Sequence, residues 1–199
     1  MTRVIAGTAG GRRLAVPPGG GTRPTSDRAR EGLFSTWSAL WGPLDGARVL
    51  DLYGGSGAVG LEALSRGAAH ALLVEQDARA ARTIRENIRT LGLPGAEPRT
   101  ARAEQLAATP APGPAYDLAF LDPPYAVRDD DLREILLTLA ANGWLAVEAV
   151  VTVERSTRGG PFAWPAGFGG LRSRRYGEGT LWYGRTADHH VTDHVTDRS

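Results

Sequence analysis

Residues 48–60 have the sequence RVLDLYGGSGAVG. The run Arg48–Tyr53 predicts a buried strand, and the glycines that follow it lead into a predicted helix, Ala58–Arg66. A second apolar strand, Ala71–Val74, ends at Glu75. This stretch therefore predicts a strand–loop–helix–strand unit, which is the repeating element of an α/β fold.

The glycine loop of this unit indicates a nucleotide-like ligand. Gly55, Gly57 and Gly60 match G-x-G-x-x-G, and Glu75 lies where an acid would hold ribose hydroxyls. The motif alone leaves open both a nicotinamide dinucleotide and S-adenosylmethionine. Asp51, just before the glycines, suits a ligand with an ammonium group better than one with a pyrophosphate. The residues therefore favour S-adenosylmethionine as the cofactor.

A third predicted strand, Tyr116–Leu121, runs into Asp122-Pro123-Pro124-Tyr125. Residues before proline are pushed out of the helical region, so the strand ends stiffly at the edge where open α/β sheets bind ligands. Asp122 and the Pro123 carbonyl can accept the two hydrogens of a planar amino group, and Tyr125 can stack on its ring. We take these four residues as catalytic candidates, and a plain surface turn is the alternative.

The remaining pattern alternates helices with strands and ends in an antiparallel hairpin. We therefore expect an α/β fold with a mostly parallel sheet, helices on both faces and an antiparallel C-terminal hairpin. Further predicted helices and strands are, in order, helices over 29–40, 78–91, 103–108 and 129–141, and strands over 97–101, 145–153, 171–176 and 180–183.

The sequence divides into three predicted parts. Residues 1–45 form an extension with a small basic hairpin, strands 3–6 and 12–16, followed by the first helix. Residues 46–186 form the main α/β domain. Residues 187–199 are predicted to be a disordered tail. The three histidines of this tail, His189, His190 and His194, are assigned to it, and no metal site is expected.

Composition narrows the class of protein. The 199 residues contain no cysteine, which excludes disulfides and thiolate sites, and no apolar run approaches 18 residues. We expect a soluble, cytoplasmic monomer. The net charge is only +1, but all 23 basic residues are arginines and many lie near the two ends of the chain. Such clusters suit a polyanionic partner or form an ordinary solvated face.

Together these motifs resemble a Rossmann-like class I methyltransferase, and over Arg3 to Gly184 the bacterial RsmD family in particular. The matching segments are RVIAG at 3–7, GRRL at 11–14, TRPT at 22–25, the glycine loop continued through GLEALSRGA at 60–68, the DPPY motif at 122–125 and RYG at 175–177. The resemblance implies methylation by S-adenosylmethionine of the exocyclic N2 of one guanine in 16S ribosomal RNA, in the assembled 30S subunit. A DPPY enzyme acting on adenine N6 or on DNA is the alternative.

The resemblance also implies roles for individual residues. The implied cofactor-binding residues are Thr25, Asp51, Tyr53, Gly54, Gly55, Ser56, Gly57, Glu75, Gln76, Ala103, Glu104 and Asp122. The implied RNA-binding residues are Arg12, Arg13, Arg23, Arg28 and Arg30. Arg102 stands roughly where relatives place an acid for the adenine amino group, so we expect backbone groups or Glu104 to hold the adenine.

Overall fold

The computed structural model describes residues 2–18 and 25–187. Within them the chain forms five α-helices, a two-stranded hairpin and a seven-stranded sheet. In chain order the elements are β1 Thr2–Arg3, β2 Arg13–Leu14, α1 Asp27–Leu40, β3 Arg48–Leu52, α2 Ala58–Ser65, β4 His70–Glu75, α3 Ala78–Leu91, β5 Ala96–Thr100, α4 Ala103–Ala107, β6 Tyr116–Leu121, α5 Asp129–Ala141, β7 Leu145–Ser156, a 3₁₀ turn Thr157–Gly159, β8 Phe168–Tyr176 and β9 Gly179–Thr186.

The large sheet has the strand order β5-β4-β3-β6-β7-β9-β8. Its first five strands are parallel, and β9 pairs antiparallel with both β7 and β8. The predicted α/β class, parallel sheet and antiparallel C-terminal hairpin are thereby confirmed. The order reverses between β3 and β6, and such reversals are where open α/β sheets bind ligands.

Alternation along the central strands separates two buried cores. Val49 faces a core shared with α1, α2 and α3, whereas Leu50 faces a core shared with α4 and α5. The period of two residues in a strand sends successive side chains to opposite faces, so an apolar run without alternation covers both. Helices lie on both faces of the sheet, as predicted.

The N-terminal extension packs onto the main sheet and shares its core. Leu33, Phe34 and Trp37 of α1 are fully buried in the same cluster as Val49. The Trp37 indole N–H donates to the Thr152 hydroxyl of β7 at 2.9 Å. The hydrophobic core is therefore continuous from the extension into the sheet.

The hairpin of the extension is shorter than predicted because glycines and long-range contacts replace its strand pairing. Its backbone N–H groups at Ile5 and Ala6 donate to the Glu62 carboxylate of α2, at 2.7 and 3.0 Å. At Gly7, whose φ is 79°, a Cβ would lie 1.8 Å from the Ser65 carbonyl oxygen. The loop is thus held by α2 rather than by its own strands, and only glycine fits its closest approach.

The last two strands extend further than predicted. β8 begins at Phe168, which pairs with Thr186 of β9. The Trp164 ring packs closely on two glycines of these strands. A Cβ at Gly170 would lie 2.9 Å from the nearest atom of this ring, and a Cβ at Gly184 would lie 2.7 Å from it. The predicted tail beyond residue 187 and its histidines lie outside the described residues. In the described part of the chain, no helix is long and apolar enough to cross a membrane.

Candidate active site

The strand register brings two acids side by side at the carboxyl edge of the sheet. Leu52 of β3 pairs with Leu121 of β6, and Leu121 pairs with Val153 of β7. Asp122 follows β6 directly, and Glu154 follows Val153 within β7. The predicted catalytic motif therefore starts at the reversal of strand order, next to the glycine loop that follows β3.

The loop between β3 and α2 is a tight turn of left-handed residues. Tyr53, Gly55 and Gly57 have φ angles of 62°, 58° and 79°. A Cβ at Gly57 would lie 2.9 Å from the Leu73 Cδ2 atom, and the Gly54 N–H donates to the Val74 carbonyl at 2.8 Å. A ligand can therefore approach the backbone closely at the amino end of α2.

Asp51 is a buried acid beneath this loop. It is 2% exposed, and its Oδ2 accepts the Gly60 N–H at 3.0 Å. Burial raises the pKa of Asp51 to about 8, against the effect of the Gly60 hydrogen bond and aided by repulsion from Asp122 and Glu75. An ammonium group beside it would stabilise its ionised form, which is what a site for an amino-acid-like ligand needs.

Glu75 fixes the glycine loop from the end of β4. Its two carboxylate oxygens accept the N–H groups of Gly55, at 2.9 Å, and of Asp77, at 2.8 Å. Each oxygen keeps a further lone pair for a hydroxyl group. Gln76 beside it is exposed, whereas Ser56 is buried and its carbonyl accepts the Asn87 amide at 2.9 Å.

The loop from β5 to α4 comes next along this edge of the sheet, and the Ala101 N–H donates to the Glu75 carbonyl at 3.1 Å. Arg102 is exposed and its guanidinium lies 3.5 Å from the Glu104 carboxylate, while Ala103 is buried as the first residue of α4. The Tyr53 hydroxyl is buried near Glu104, and burial raises the pKa of Tyr53 to about 12. Arg102 therefore forms an ion pair with Glu104, and Glu104 supplies the carboxylate of this loop.

The second half of the site is a cavity of about 450 Å³ over the Asp122-Pro123-Pro124-Tyr125 motif. Its lining combines the start of α1, the motif, the end of β7 and the turn between β8 and β9: Thr25, Ser26, Arg28, Ala29, Asp122, Pro123, Pro124, Tyr125, Glu154, Arg175, Tyr176, Gly177, Glu178 and Gly179. The Tyr125 side chain is 61% exposed at its mouth. The volume lies within the usual range of small-molecule binding sites.

The carboxylates of Asp122 and Glu154 lie next to each other in this cavity. The Thr25 hydroxyl lies 3.3 Å from Asp122 Oδ2 and 3.5 Å from Glu154 Oε2. Burial raises the pKa of Asp122 to about 6, although Thr25 and Arg155 favour its ionised form. The pKa of Glu154 is raised to about 8, mainly by burial and to a lesser extent by repulsion from Asp122. Burial therefore opposes the ionisation of both carboxylates, and the charge of Asp122 further opposes that of Glu154.

Sequence reasoning missed Glu154 and the turn between β8 and β9 as parts of the site. The signal for Glu154 was present, because it directly follows the predicted apolar strand 145–153, just as Glu75 and Asp122 follow their predicted strands. The turn could not be placed from sequence, since its position depends on β9 returning antiparallel beside β7. Thr25, expected to bind the cofactor, lies between the Asp122 and Glu154 carboxylates, and its binding of the cofactor stays a prediction.

The predicted RNA-binding arginines divide into different environments. Arg13 and Arg28 are exposed, and Arg28 lines the cavity. Arg12 is also exposed, but its guanidinium donates to the last carbonyls of α3, with 2.8 Å to that of Leu91. Arg23 lies outside the described residues.

Arg30 was wrongly predicted to meet RNA. Its side chain is fully buried and donates to Asp27 and to the Arg3 carbonyl, both at 2.7 Å, with Glu62 at 3.9 Å. Its periodicity places it on the inner face of α1, where a buried charge needs these partners. Arg30 therefore ties the extension to α2.

A basic groove of about 920 Å³ runs along the outer face of α3. Four exposed arginines of that helix line it, with one acid among them: Arg79, Arg82, Arg85, Glu86 and Arg89. The contact of Arg12 with the end of α3 makes this surface continuous with the N-terminal hairpin. Among the described residues, no group of three or more His, Cys, Asp or Glu side chains could hold a metal ion.

Comparison with known sequences gives one family. The family model described as conserved hypothetical protein 95 matches residues 2–185. The ribosomal RNA small subunit methyltransferase D of Escherichia coli strain K12 is 39% identical over 176 residues, which cover 88% of this chain and 85% of that protein. The protein of the same name from Haemophilus influenzae is 34% identical over 154 residues, 76% of this chain and 77% of its own.

Solved structures give the same result for the fold. The Escherichia coli protein yhhF, described as a methyltransferase, superposes with a TM-score of 0.81 at 36% identity, covering 94% of this chain and 98% of that one. A hypothetical protein of Thermus thermophilus superposes with a TM-score of 0.73 at 33% identity, covering 92% of this chain and 98% of that one. The similarity therefore includes the N-terminal extension as well as the sheet.

Proposed function

Since this chain belongs to the conserved hypothetical protein 95 family, the RsmD family of ribosomal RNA methyltransferases, we propose that it methylates the exocyclic N2 of one guanine in 16S ribosomal RNA within the 30S subunit, with S-adenosylmethionine as the methyl donor. The chain is a methyltransferase; the proposal concerns its donor, its target atom and its substrate particle. The observation that carries it is that the acids and glycines suited to the donor lie beside the cavity that Asp122 lines, at the same edge of the sheet.

The residues of the first pocket fit S-adenosylmethionine. Asp51 is a buried acid with a raised pKa, so a neighbouring ammonium group would relieve its unfavourable ionisation. The loop at Gly54–Gly57 allows close approach of a ligand to the backbone, and Glu75 offers acceptors for ribose hydroxyls. When bound, S-adenosylmethionine supplies an electrophilic methyl group on a sulfonium ion.

Asp122, Pro123 and Tyr125 would position the amino group of the target base. An aromatic amine is a weak nucleophile because its lone pair is delocalised into the ring. Asp122 accepts one amino hydrogen and the Pro123 carbonyl accepts the other, which directs the lone pair toward the methyl group. Tyr125 at the cavity mouth stacks on the base, which must leave its helix to enter. The displaced proton passes to Asp122, whose raised pKa makes it a suitable acceptor.

Exposed arginines would hold the RNA by its phosphates. Arg28 lies at the cavity itself, Arg13 lies on the hairpin, and the structure adds the groove along α3 to the arginines expected from sequence. These side chains give a continuous cationic surface from the hairpin along the helix. Contacts of this kind predict binding that weakens steeply with salt.

Transfer of labelled methyl groups tests this proposal. The protein is incubated with labelled S-adenosylmethionine and with 30S particles lacking the modification, naked 16S RNA or duplex DNA, and products are digested to nucleosides. We expect label in N2-methylguanosine from 30S particles, and its loss in Asp122→Asn but not in the surface control Asp130→Asn. Label in N6-methyladenosine or in DNA would overturn the proposed target, and label from naked RNA alone would overturn the proposed particle.

A further inference from the structure

A second carboxylate in the cavity has no part in the mechanism above. Glu154 lies near the carboxyl end of β7 beside Asp122, and one hydroxyl, that of Thr25, lies 3.5 Å from the Glu154 carboxylate and 3.3 Å from that of Asp122. Glu154 therefore lies on the same wall of the cavity as the acid proposed to hold the amino group. A base bound to Asp122 by its amino group would present the neighbouring atom of its ring edge toward Glu154.

The fold builds a specific seat for this carboxylate. A Cβ on Gly179, in the turn that closes the cavity, would lie 2.5 Å from Glu154 Oε1. The neighbouring cation is directed elsewhere, since Arg155 lies 2.8 Å from Asp129 and donates to the Val127 carbonyl at 2.7 Å. Glu154 is thus held between Thr25 and a glycine backbone, facing the cavity.

Guanine has the edge that two adjacent acceptors would recognise. Its N1–H and its N2 amino group are neighbouring donors, whereas adenine and 2-aminopurine have an N1 lone pair without a hydrogen next to the amino group. We propose that Glu154 is a specificity-determining residue, which accepts the N1–H of guanine while Asp122 accepts a hydrogen of N2. This inference rests on the proposed function, because it assumes that guanine N2 is the atom methylated.

The inference makes base selection depend on the ionisation of Glu154. Besides Glu154, the titratable or charged side chains lining the cavity are Arg28, Asp122, Tyr125, Arg175, Tyr176 and Glu178. Burial and the charge of Asp122 raise the pKa of Glu154 to about 8. Below that pH the protonated acid can donate to the N1 lone pair of 2-aminopurine, and above it the carboxylate accepts from guanine. Selection for guanine should therefore increase with pH.

The test compares two target bases in the same particle. 30S subunits are reconstituted with 16S RNA that carries either guanosine or 2-aminopurine riboside at the position that the wild-type enzyme methylates. Both bases offer an exocyclic amino group, but only guanine has N1–H. The ratio of their kcat/KM values is measured from pH 6 to 9, for the wild type, for Glu154→Gln and for Glu148→Gln, a control on the exposed start of the same strand.

We expect the wild-type preference for guanine to increase by about 10- to 100-fold across this range, as one hydrogen bond to a charged group would produce. Glu154→Gln should have a low and pH-independent preference, since an amide both donates and accepts. Glu148→Gln should behave as the wild type. If Glu154→Gln does not fold, Gly179→Ala, which displaces the carboxylate, should lower the preference instead.

The possible failures are distinguishable. A wild-type enzyme that does not methylate guanine N2 would overturn the proposed function itself. A wild-type enzyme that methylates guanine N2, with a preference over 2-aminopurine that is unchanged by both Glu154→Gln and Gly179→Ala, would overturn the role of Glu154 alone. A preference that is lost in the variants but independent of pH in the wild type would also overturn it, since the carboxylate would then not be the recognising group.

Discussion

Replacement of Asp51 by asparagine should stabilise the free protein at alkaline pH. It should also remove most of the thermal stabilisation that the cofactor gives to the wild type. The wild-type pKa is raised from 3.8 to about 8 by burial. The folded state therefore binds this proton more tightly than the unfolded state, so the free energy of unfolding falls as pH rises through this interval and the penalty is complete above pH 8. Each pKa unit corresponds to about 1.4 kcal/mol, so the full penalty is several kcal/mol.

Asparagine avoids the charge but introduces a buried amide group. Its oxygen can still accept the Gly60 N–H, whereas its NH₂ has to be buried at a cost of about 1–3 kcal/mol. At pH 8.5 the balance favours Asp51→Asn by on the order of 2 kcal/mol, which raises the Tm by about 4–8 °C in a chain of this size. At pH 5 the wild-type penalty is mostly absent, so the two proteins should melt at similar temperatures.

Thermal melts at both pH values, with and without S-adenosylmethionine, measure this. The wild type should gain stability from the cofactor, because the ammonium group would ionise Asp51 favourably, and Asp51→Asn should gain little. The exposed Asp130→Asn serves as the control and should change neither quantity. A variant that is equally destabilised at pH 5 and pH 8.5 would refute the reasoning, since it would show that Asp51 is a structural hydrogen-bonding group and not a strained acid.

Three further predictions concern the cavity, the loop and the groove. Asp122→Asn should lower kcat at least about 100-fold, with its cofactor affinity, measured by calorimetry, nearly unchanged. The variant should also lack the fall in kcat/KM that the wild type shows as pH drops through about 6. Equal losses in kcat and in cofactor affinity would contradict this role. Gly57→Ala should lower the Tm more than Gly92→Ala. Both glycines have positive φ, but a Cβ at Gly57 would lie 2.9 Å from a leucine methyl group, whereas one at Gly92 would face open space. Equal Tm values for the two variants would contradict this expectation. Replacing both Arg82 and Arg85 by glutamine should raise the KM for 30S particles and leave kcat unchanged. The slope of log affinity against log salt concentration should become shallower by about 0.7–0.9 per lost phosphate contact. An unchanged slope would mean that the RNA binds elsewhere.

The elements that sequence predicted best are those determined by local periodicity. The strand Tyr116–Leu121 and the helix Asp129–Ala141 begin and end where the pattern indicated. The hairpin strands were overestimated because their backbone groups bond to Glu62 and Ser65, which are about 57 residues away in the chain. Local propensity carries no information on such partners.

The same distinction explains the errors at the site. Arg30 belongs to a cluster of arginines that a charge count assigns to the surface, but its position on α1 turns it inward onto Asp27 and Glu62. Glu154 stood at a strand end, yet its partner Thr25 comes from the opposite end of the sequence. Charge and spacing therefore identified the acids and glycines that follow β3 and β4, whose proposed role in holding the cofactor stays a prediction, whereas the lining of the Asp122 cavity required the tertiary contacts.

The protein holds the carboxyl groups of Asp51, which is buried, and of Asp122 and Glu154, which are half-buried, at one edge of the sheet. Each has a raised pKa, and the charges of Asp51 and Glu154 are both disfavoured by that of Asp122. An ammonium group of the cofactor would offset the negative charge of Asp51. The N–H groups of guanine would donate hydrogen bonds to Asp122 and Glu154. Because ionising one acid opposes ionising the next, a cation beside Asp51 offsets its repulsion on Asp122, and linkage requires that the two ligands then assist each other's binding. Under the proposed function, the unfavourable ionisation of these acids would be offset most fully with the methyl donor and the target base bound together.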